Sequence, residues 1–117
     1  MRIKICGITQ AQQGIHIAKL GATALGFICV PTSPRYINPE KIQKIRAILP
    51  TNIDAIAVFA NAKILDIIEI VNYSGLTGVQ LHGAESPDFC QELRSRLPDK
   101  IEIIKAFRIK TAASLKE

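Results

Sequence analysis

With 117 residues and a formal net charge of +5, the chain has room for one ordinary domain. Apolar residues at 48% and charged residues at 21% exclude a disordered tract, and no apolar run reaches the ~18 residues that a membrane helix needs. An aromatic share of 5% with no Trp leaves no base-stacking surface for nucleic acid, and the dispersed positive charge suits a small anion better than a polyanion.

Strand-like and helix-like segments alternate in chain order. Ile3 to Cys6 opens as a short β-branched strand, with Ile3 and Ile5 on one face and Lys4 and Cys6 on the other. Gln10 to Leu20 repeats Ala11, Ile15 and Ala18 at helical spacing. Ala24 to Val30 reads as a strand, Pro39 to Leu49 as a helix through Ile42, Ile45 and Leu49, and Ile53 to Phe59 as a strand. Ala62 to Tyr73 (Ile64, Leu65, Ile67, Ile68, Val71), Gly78 to Leu81, Pro87 to Leu97 (Phe89, Cys90, Leu93, Leu97) and Ile101 to Phe107 continue the alternation. Asn38-Pro39 and Ser86-Pro87 each set a capping side chain before a first-turn proline, and Thr9 and Asn61 are the predicted caps of the other two helices. Gly21 and Gly75 follow helix ends, where a left-handed residue is often required.

Strands that are apolar at nearly every position are covered on both faces, as in parallel sheets with helices packed outside. The chain is therefore an α/β protein of parallel βα repeats. Four units and a fifth strand fit its length, which leaves two readings open: a five-stranded open sheet, or the first part of a (β/α)8 barrel. Lys4, on the face away from the isoleucines, calls for a carboxylate partner, and none is evident in the chain.

Three cysteines, Cys6, Cys29 and Cys90, without CxxC spacing argue against a disulfide framework or a zinc ribbon. They suit a reducing, cytoplasmic setting. In parallel α/β folds functional groups gather at the C-terminal ends of strands. Cys6-Gly7, the Pro31 to Asn38 loop with Arg35, Phe59 to Asn61, and Gln80 to Glu85 with His82 are thus expected on one rim. Cys29 and Cys90 are expected to be packing residues, and His16 a surface one.

Five motifs in order carry a family resemblance. They are Lys4-Ile5-Cys6-Gly7-Ile8-Thr9, then Gly26-Phe27-Ile28 with Pro31 and Ser33-Pro34-Arg35-Tyr36-Ile37, then Val58-Phe59 with Asn61. Val79-Gln80-Leu81-His82-Gly83 with Glu85 and Lys105-Ala106-Phe107-Arg108 complete the set. Together they resemble the phosphoribosylanthranilate isomerases of tryptophan biosynthesis, across essentially the whole chain.

The resemblance implies a (β/α)8 TIM barrel, with residues 1–117 supplying its first five strands and four helices as the N-terminal part of a single domain. It implies no metal and no cofactor, a phosphorylated small-molecule substrate, and an Amadori rearrangement of N-(5'-phosphoribosyl)anthranilate to 1-(2-carboxyphenylamino)-1-deoxyribulose 5-phosphate. On that reading Cys6 is the general base, Arg35 holds the anthranilate carboxylate, and Gln80 and His82 line the substrate site. Arg108 is a weaker candidate for an anionic group. A thiol serves as base only where its thiolate is favoured, and the helix start expected at Thr9, with Lys4 nearby, would favour it. The family's general acid and phosphate loops belong to the sixth to eighth strands, so this chain alone is expected to be inactive. Two competing readings stand beside it: a non-catalytic half-barrel that self-associates or pairs with a C-terminal half through open strand edges, and a thiol enzyme with Cys6 as nucleophile. No nucleic-acid or membrane partner is expected.

Overall fold

The computed structural model describes residues 3–106. The elements run β1 (Lys4–Cys6), α1 (Ala11–Lys19), β2 (Ala24–Ile28), α2 (Pro39–Ile48), β3 (Asp54–Phe59), α3 (Ile64–Ser74), β4 (Gly78–Leu81), α4 (Pro87–Arg96) and β5 (Glu102–Lys105). Every predicted element is present, with ends displaced by one or a few residues. Phe107, the predicted last residue of the fifth strand, lies outside the described residues.

All strand pairs are parallel and the sheet order is β1-β2-β3-β4-β5. A sequential order without reversal is a singly wound sheet; the doubly wound alternative would show a switch point. Curvature decides between an open sheet and a barrel. Lys4 Nζ on β1 donates to Gln80 Oε1 on β4. In a flat sheet three strand spacings hold these strands about 14 Å apart, and the register sets Gln80 four residues, about 13 Å, further along. No pair of side chains spans that distance, so the sheet bends strongly around the face that carries Lys4, as a barrel wall does.

The convex face holds the core. Leu25, Phe27, Ala55, Ala57, Phe59, Val79 and Leu81 are buried against Ile42, Ile45, Ile67, Val71 and Leu93 of the helices. Leu65, predicted for the apolar stripe of α3, is instead 68% exposed. The concave face alternates small and large residues. Cys6, Gly26, Ile56, Gly78 and Glu102 form one row across the sheet, and a methyl at Gly78 would already press on Glu102 and Ile56.

The caps are half as expected. Asn38 Oδ1 accepts from Lys41 N (2.8 Å) and Ser86 Oγ from Phe89 N (3.1 Å). Thr9 is not the cap of α1; Gln10 is, and the Gln13 side chain folds back to accept from the backbone N–H of both Thr9 and Gln10. Asn61 does not cap α3 either, because Lys63 stands there and Asn61 is bonded elsewhere.

The junctions between helix and following strand come in two alternating kinds. After α1 and α3 the chain reads Gly-x-Thr. Gly21 (φ 105°) and Gly75 (φ 68°) turn it, and Thr23 and Thr77 each accept a backbone N–H through their hydroxyl, from Ile3 and Ala55 respectively. After α2 and α4 it reads Leu-Pro, and an arginine clasps the next strand: Arg46 Nη1 to Ile53 O and Arg94 Nη1 to Ile101 O, both 2.6 Å. The two arginines stand 48 residues apart and so do their acceptors.

Candidate active site

The loops that follow the strands at their C-terminal ends share one rim. Cys6, the last residue of β1, is exposed toward a shallow cleft of about 290 Å³. Ile28, Val30, Ser33, Val58, Ala60, Gln80 and His82 complete its lining. Three of the four predicted site residues therefore meet there. The fourth, Arg35, is held beside it, because a methyl on Gly7 would come within 2.8 Å of Arg35 Cδ. Arg35 thus lies over the backbone of the residue that follows Cys6. Gly7 is required by its φ of +88°, while the flexible Arg35 side chain could move aside from an added methyl.

Gly26 makes room for the sulfur in the same way. It faces Cys6 across the β1–β2 pair, and a methyl there would sit 2.6 Å from Cys6 Sγ and 3.1 Å from Cys6 Cα. Gln80 has a partner already: its Oε1 accepts from Lys4 Nζ. Lysine is a donor only, so this bond fixes the amide orientation of Gln80 and leaves its Nε2 as a donor. The partner of Lys4 is thus an amide within this chain, where the sequence suggested a carboxylate outside it. The helix start also differs, since α1 begins at Ala11, five residues past Cys6. His82 is anchored through its backbone, whose N–H donates to Phe59 O at 2.8 Å. Arg108 lies outside the described residues.

A buried carboxylate, whose role the sequence did not expose, organises the rim behind His82. The Glu85 side chain is 1% exposed. Its Oε1 accepts from Gly83 N (2.9 Å) and Lys105 Nζ (2.8 Å), and its Oε2 from Asn61 N (2.8 Å). Asn61 Oδ1 accepts in turn from Ala84 N (2.8 Å), and Lys105 Nζ also donates to Gly83 O (2.7 Å). Asn61 adopts a left-handed φ of 55°, which asparagine tolerates better than most residues. The sequence signals were the places of Asn61, Glu85 and Lys105 in the family motifs, which carried no role for them, and the charge of Lys105 closing an otherwise apolar Ile103-Ile104 run.

Burial alone would raise the Glu85 pKa, yet the Lys105 ammonium and the Asn61 N–H outweigh it and hold the carboxyl below its ordinary value of 4.5. A carboxylate so depressed stabilises the fold fully above pH 4.5, and that contribution is lost as pH falls through the lower native value. Glu85→Gln is expected to cost roughly 2–3 kcal/mol at pH 7. Its stability gap from the unsubstituted chain should narrow as pH drops below 4.5, as read by denaturant melts from pH 7 to pH 3; a gap independent of pH would refute the linkage.

A larger cleft of about 520 Å³, between the loop after β2 and the start of α3, contains none of the four predicted residues. Its cysteine, Cys29, is buried, and burial pushes its thiol up to about 12, so it is no base at neutral pH. Cys90 is half-buried against the core, and His16 is exposed on α1, both as expected. Among the described residues no cluster of His, Cys, Asp or Glu is arranged to hold a metal ion, and no helix is long and apolar enough to cross a membrane.

A curved, singly wound parallel sheet with its polar groups converging at the strand C-terminal ends defines a TIM-barrel protein with its site at the barrel mouth. The family model described as N-(5'-phosphoribosyl)anthranilate (PRA) isomerase matches residues 3–117, and the chain belongs to that family. An N-(5'-phosphoribosyl)anthranilate isomerase of Trichodesmium erythraeum is 61% identical over 117 residues, which is 100% of this chain and 51% of the relative. Among solved structures, the phosphoribosyl anthranilate isomerase of Thermotoga maritima superposes with a TM-score of 0.91 at 34% identity, covering 99% of this chain and 55% of that one. A phosphoribosyl anthranilate isomerase in complex with reduced 1-(o-carboxyphenylamino)-1-deoxyribulose 5-phosphate has the same TM-score and identity, with 99% and 58% covered. The chain spans about half the length of the curated relatives it matches.

Proposed function

We propose that the chain is the N-terminal part of a single barrel domain that isomerises N-(5'-phosphoribosyl)anthranilate in tryptophan biosynthesis, in the cytoplasm and without a cofactor. The observation that carries this reading is the convergence of Cys6, Gln80 and His82 on one cleft with Arg35 beside it, in a chain of this family. Once the furanose ring oxygen is protonated and the ring opens to a protonated imine, the Cys6 thiolate removes the proton from C2. The C–H electron pair moves toward the iminium nitrogen and leaves an enolamine, which tautomerises to the ketone. Arg35 pairs its planar guanidinium with the anthranilate carboxylate through two hydrogen bonds. Gln80 donates from Nε2 to a substrate oxygen, and His82 borders the bound molecule.

By the family pattern the proton donor to the ring oxygen and the phosphate loops belong to the later strands. The 117-residue chain by itself is therefore inactive on this reading, and a complete barrel is active. The chain alone should give no turnover of phosphoribosylanthranilate. Supplying the remaining length of the Trichodesmium relative, joined in frame or as a separate fragment, should restore it. Substantial steady-state activity from the chain alone would refute the division of labour, and a silent complete barrel would refute the substrate.

A second reading, association of the chain through its strand edges, is favoured by Ile5 on the edge strand β1 and Ile3 just before it, which stand 38% and 42% exposed. On that reading the chain elutes above monomer size; a sharp monomeric peak by light scattering, with cooperative melting, would count against it.

A further inference from the structure

The Glu85 cluster reaches beyond the stability of its own loops. It joins the loop after β3, the loop after β4 and the end of β5 through one carboxylate, and each loop enters the cleft one residue before the cluster. Ala60 precedes Asn61, His82 precedes Gly83, and both Ala60 and His82 line the cleft beside Cys6. The fit is close. A methyl on Gly83 would stand 2.7 Å from Asn61 Oδ1 and 2.8 Å from Asn61 N, so the two loops touch backbone to backbone. Asn61 is held at a positive φ, a conformation that persists where surrounding bonds over-determine it.

We infer that Glu85, with Asn61 and Lys105 as its partners, is a positioning residue for substrate capture: it locks the two loops in the arrangement that presents Ala60 and His82 to the cleft. The inference rests on the reading of that cleft as the isomerase site. With the lock loosened, the binding-competent arrangement is only fractionally populated, and apparent affinity falls by that fraction. Saturating substrate pulls the loops back. The signature is a raised KM at nearly constant kcat, whereas a purely structural role would shrink the folded population and lower apparent kcat at constant KM.

The test uses the complete barrel, this chain joined in frame to the remaining length of the Trichodesmium relative. Glu85→Gln is expected to raise KM about tenfold with kcat within about twofold, and to speed amide exchange at Gly83 and Ala84 about tenfold while the amides of α2 keep their protection. Asn61→Gly is the second variant, for the case that Glu85→Gln does not fold. Glycine accepts the positive φ and keeps the N–H to Glu85, and only the bond to Ala84 is lost, so the same shifts are expected in smaller measure. An unchanged KM in a folded variant overturns the inference, as does unchanged exchange at Gly83 and Ala84. Should the unsubstituted barrel turn over no phosphoribosylanthranilate, the substrate reading fails by itself, and exchange at these two amides still decides whether the lock exists.

Discussion

Cys6→Ala is expected to abolish measurable turnover in the complete barrel, while Cys90→Ala leaves kcat/KM within about twofold. A positioned general base contributes about 10² to 10⁴ in rate, and alanine offers no atom to take the C2 proton. The cost to the fold should be slight, since the Cys6 side chain is exposed on the concave face and outside the buried core. Cys90 packs half-buried against the core, so its truncation should be felt in stability alone. The two variants are compared by steady-state kinetics on protein matched for thermal stability. Equal losses in both would take Cys6 out of its role. A Cys6→Ser variant with near-normal rates would do the same, because a serine hydroxyl is a far weaker base than a thiolate.

The second large effect is expected from Gly26→Ala, a single added methyl at a residue outside the lining of the cleft. That methyl would stand 2.6 Å from Cys6 Sγ, 3.2 Å from Cys6 Cβ and 3.1 Å from Cys6 Cα. Rotation of the thiol relieves the first contact, yet the second and third require β1 and β2 to part. Overpacking of this kind costs about 1–3 kcal/mol. Displacing the sulfur by even an ångström at the reacting centre costs on the order of a hundredfold in kcat/KM. Gly78→Ala serves as the comparison, since its methyl would press on Ile56 and Glu102 and not on the sulfur. Stability should fall in both variants and kcat/KM mainly in Gly26→Ala; wild-type kinetics in a folded Gly26→Ala protein would show that the sulfur's placement does not matter.

Most of the fold was legible because it is written locally. Apolar stripes such as Ile42, Ile45 and Leu49 declare a helix face, and proline after a capping residue marks where α2 and α4 begin. The two misplaced caps share a cause. Thr9 and Asn61 have the chemistry of caps, but Gln13 supplied a longer reach at α1, and Glu85, 24 residues away, drew Asn61 into another set of bonds. The curvature of the sheet was legible only through the family resemblance: in the residues themselves it is recorded in one bond between Lys4 and Gln80, separated by 76 residues, and no periodicity encodes such a pair.

At the site the sequence singled out Cys6, Arg35, Gln80 and His82 through motif resemblance, and the fold brings them to one rim. What resemblance alone did not convey was dependence. Cys6 needs a bare Gly26 opposite it, Arg35 lies over a Gly7 that its positive φ requires, and Gln80 is oriented by Lys4. Those are facts about the space between strands; a linear reading sees the glycines without their neighbours, and for Lys4 it pointed to a carboxylate where the partner is Gln80.

The alternation of Gly-x-Thr and Leu-Pro-arginine junctions gives the chain a grammar of couplets. Each pair of βα units carries one hinge turned by glycine and one latched by a guanidinium, and the second couplet rhymes with the first 48 residues on where the latches fall. Both kinds sit at the strand entrances, at the foot of the barrel and away from its mouth, where they secure architecture and leave the upper loops free to diverge in chemistry. Duplication or deletion within the chain should therefore be best tolerated in whole couplets, since adding or losing a single βα unit would set two hinges or two latches in succession.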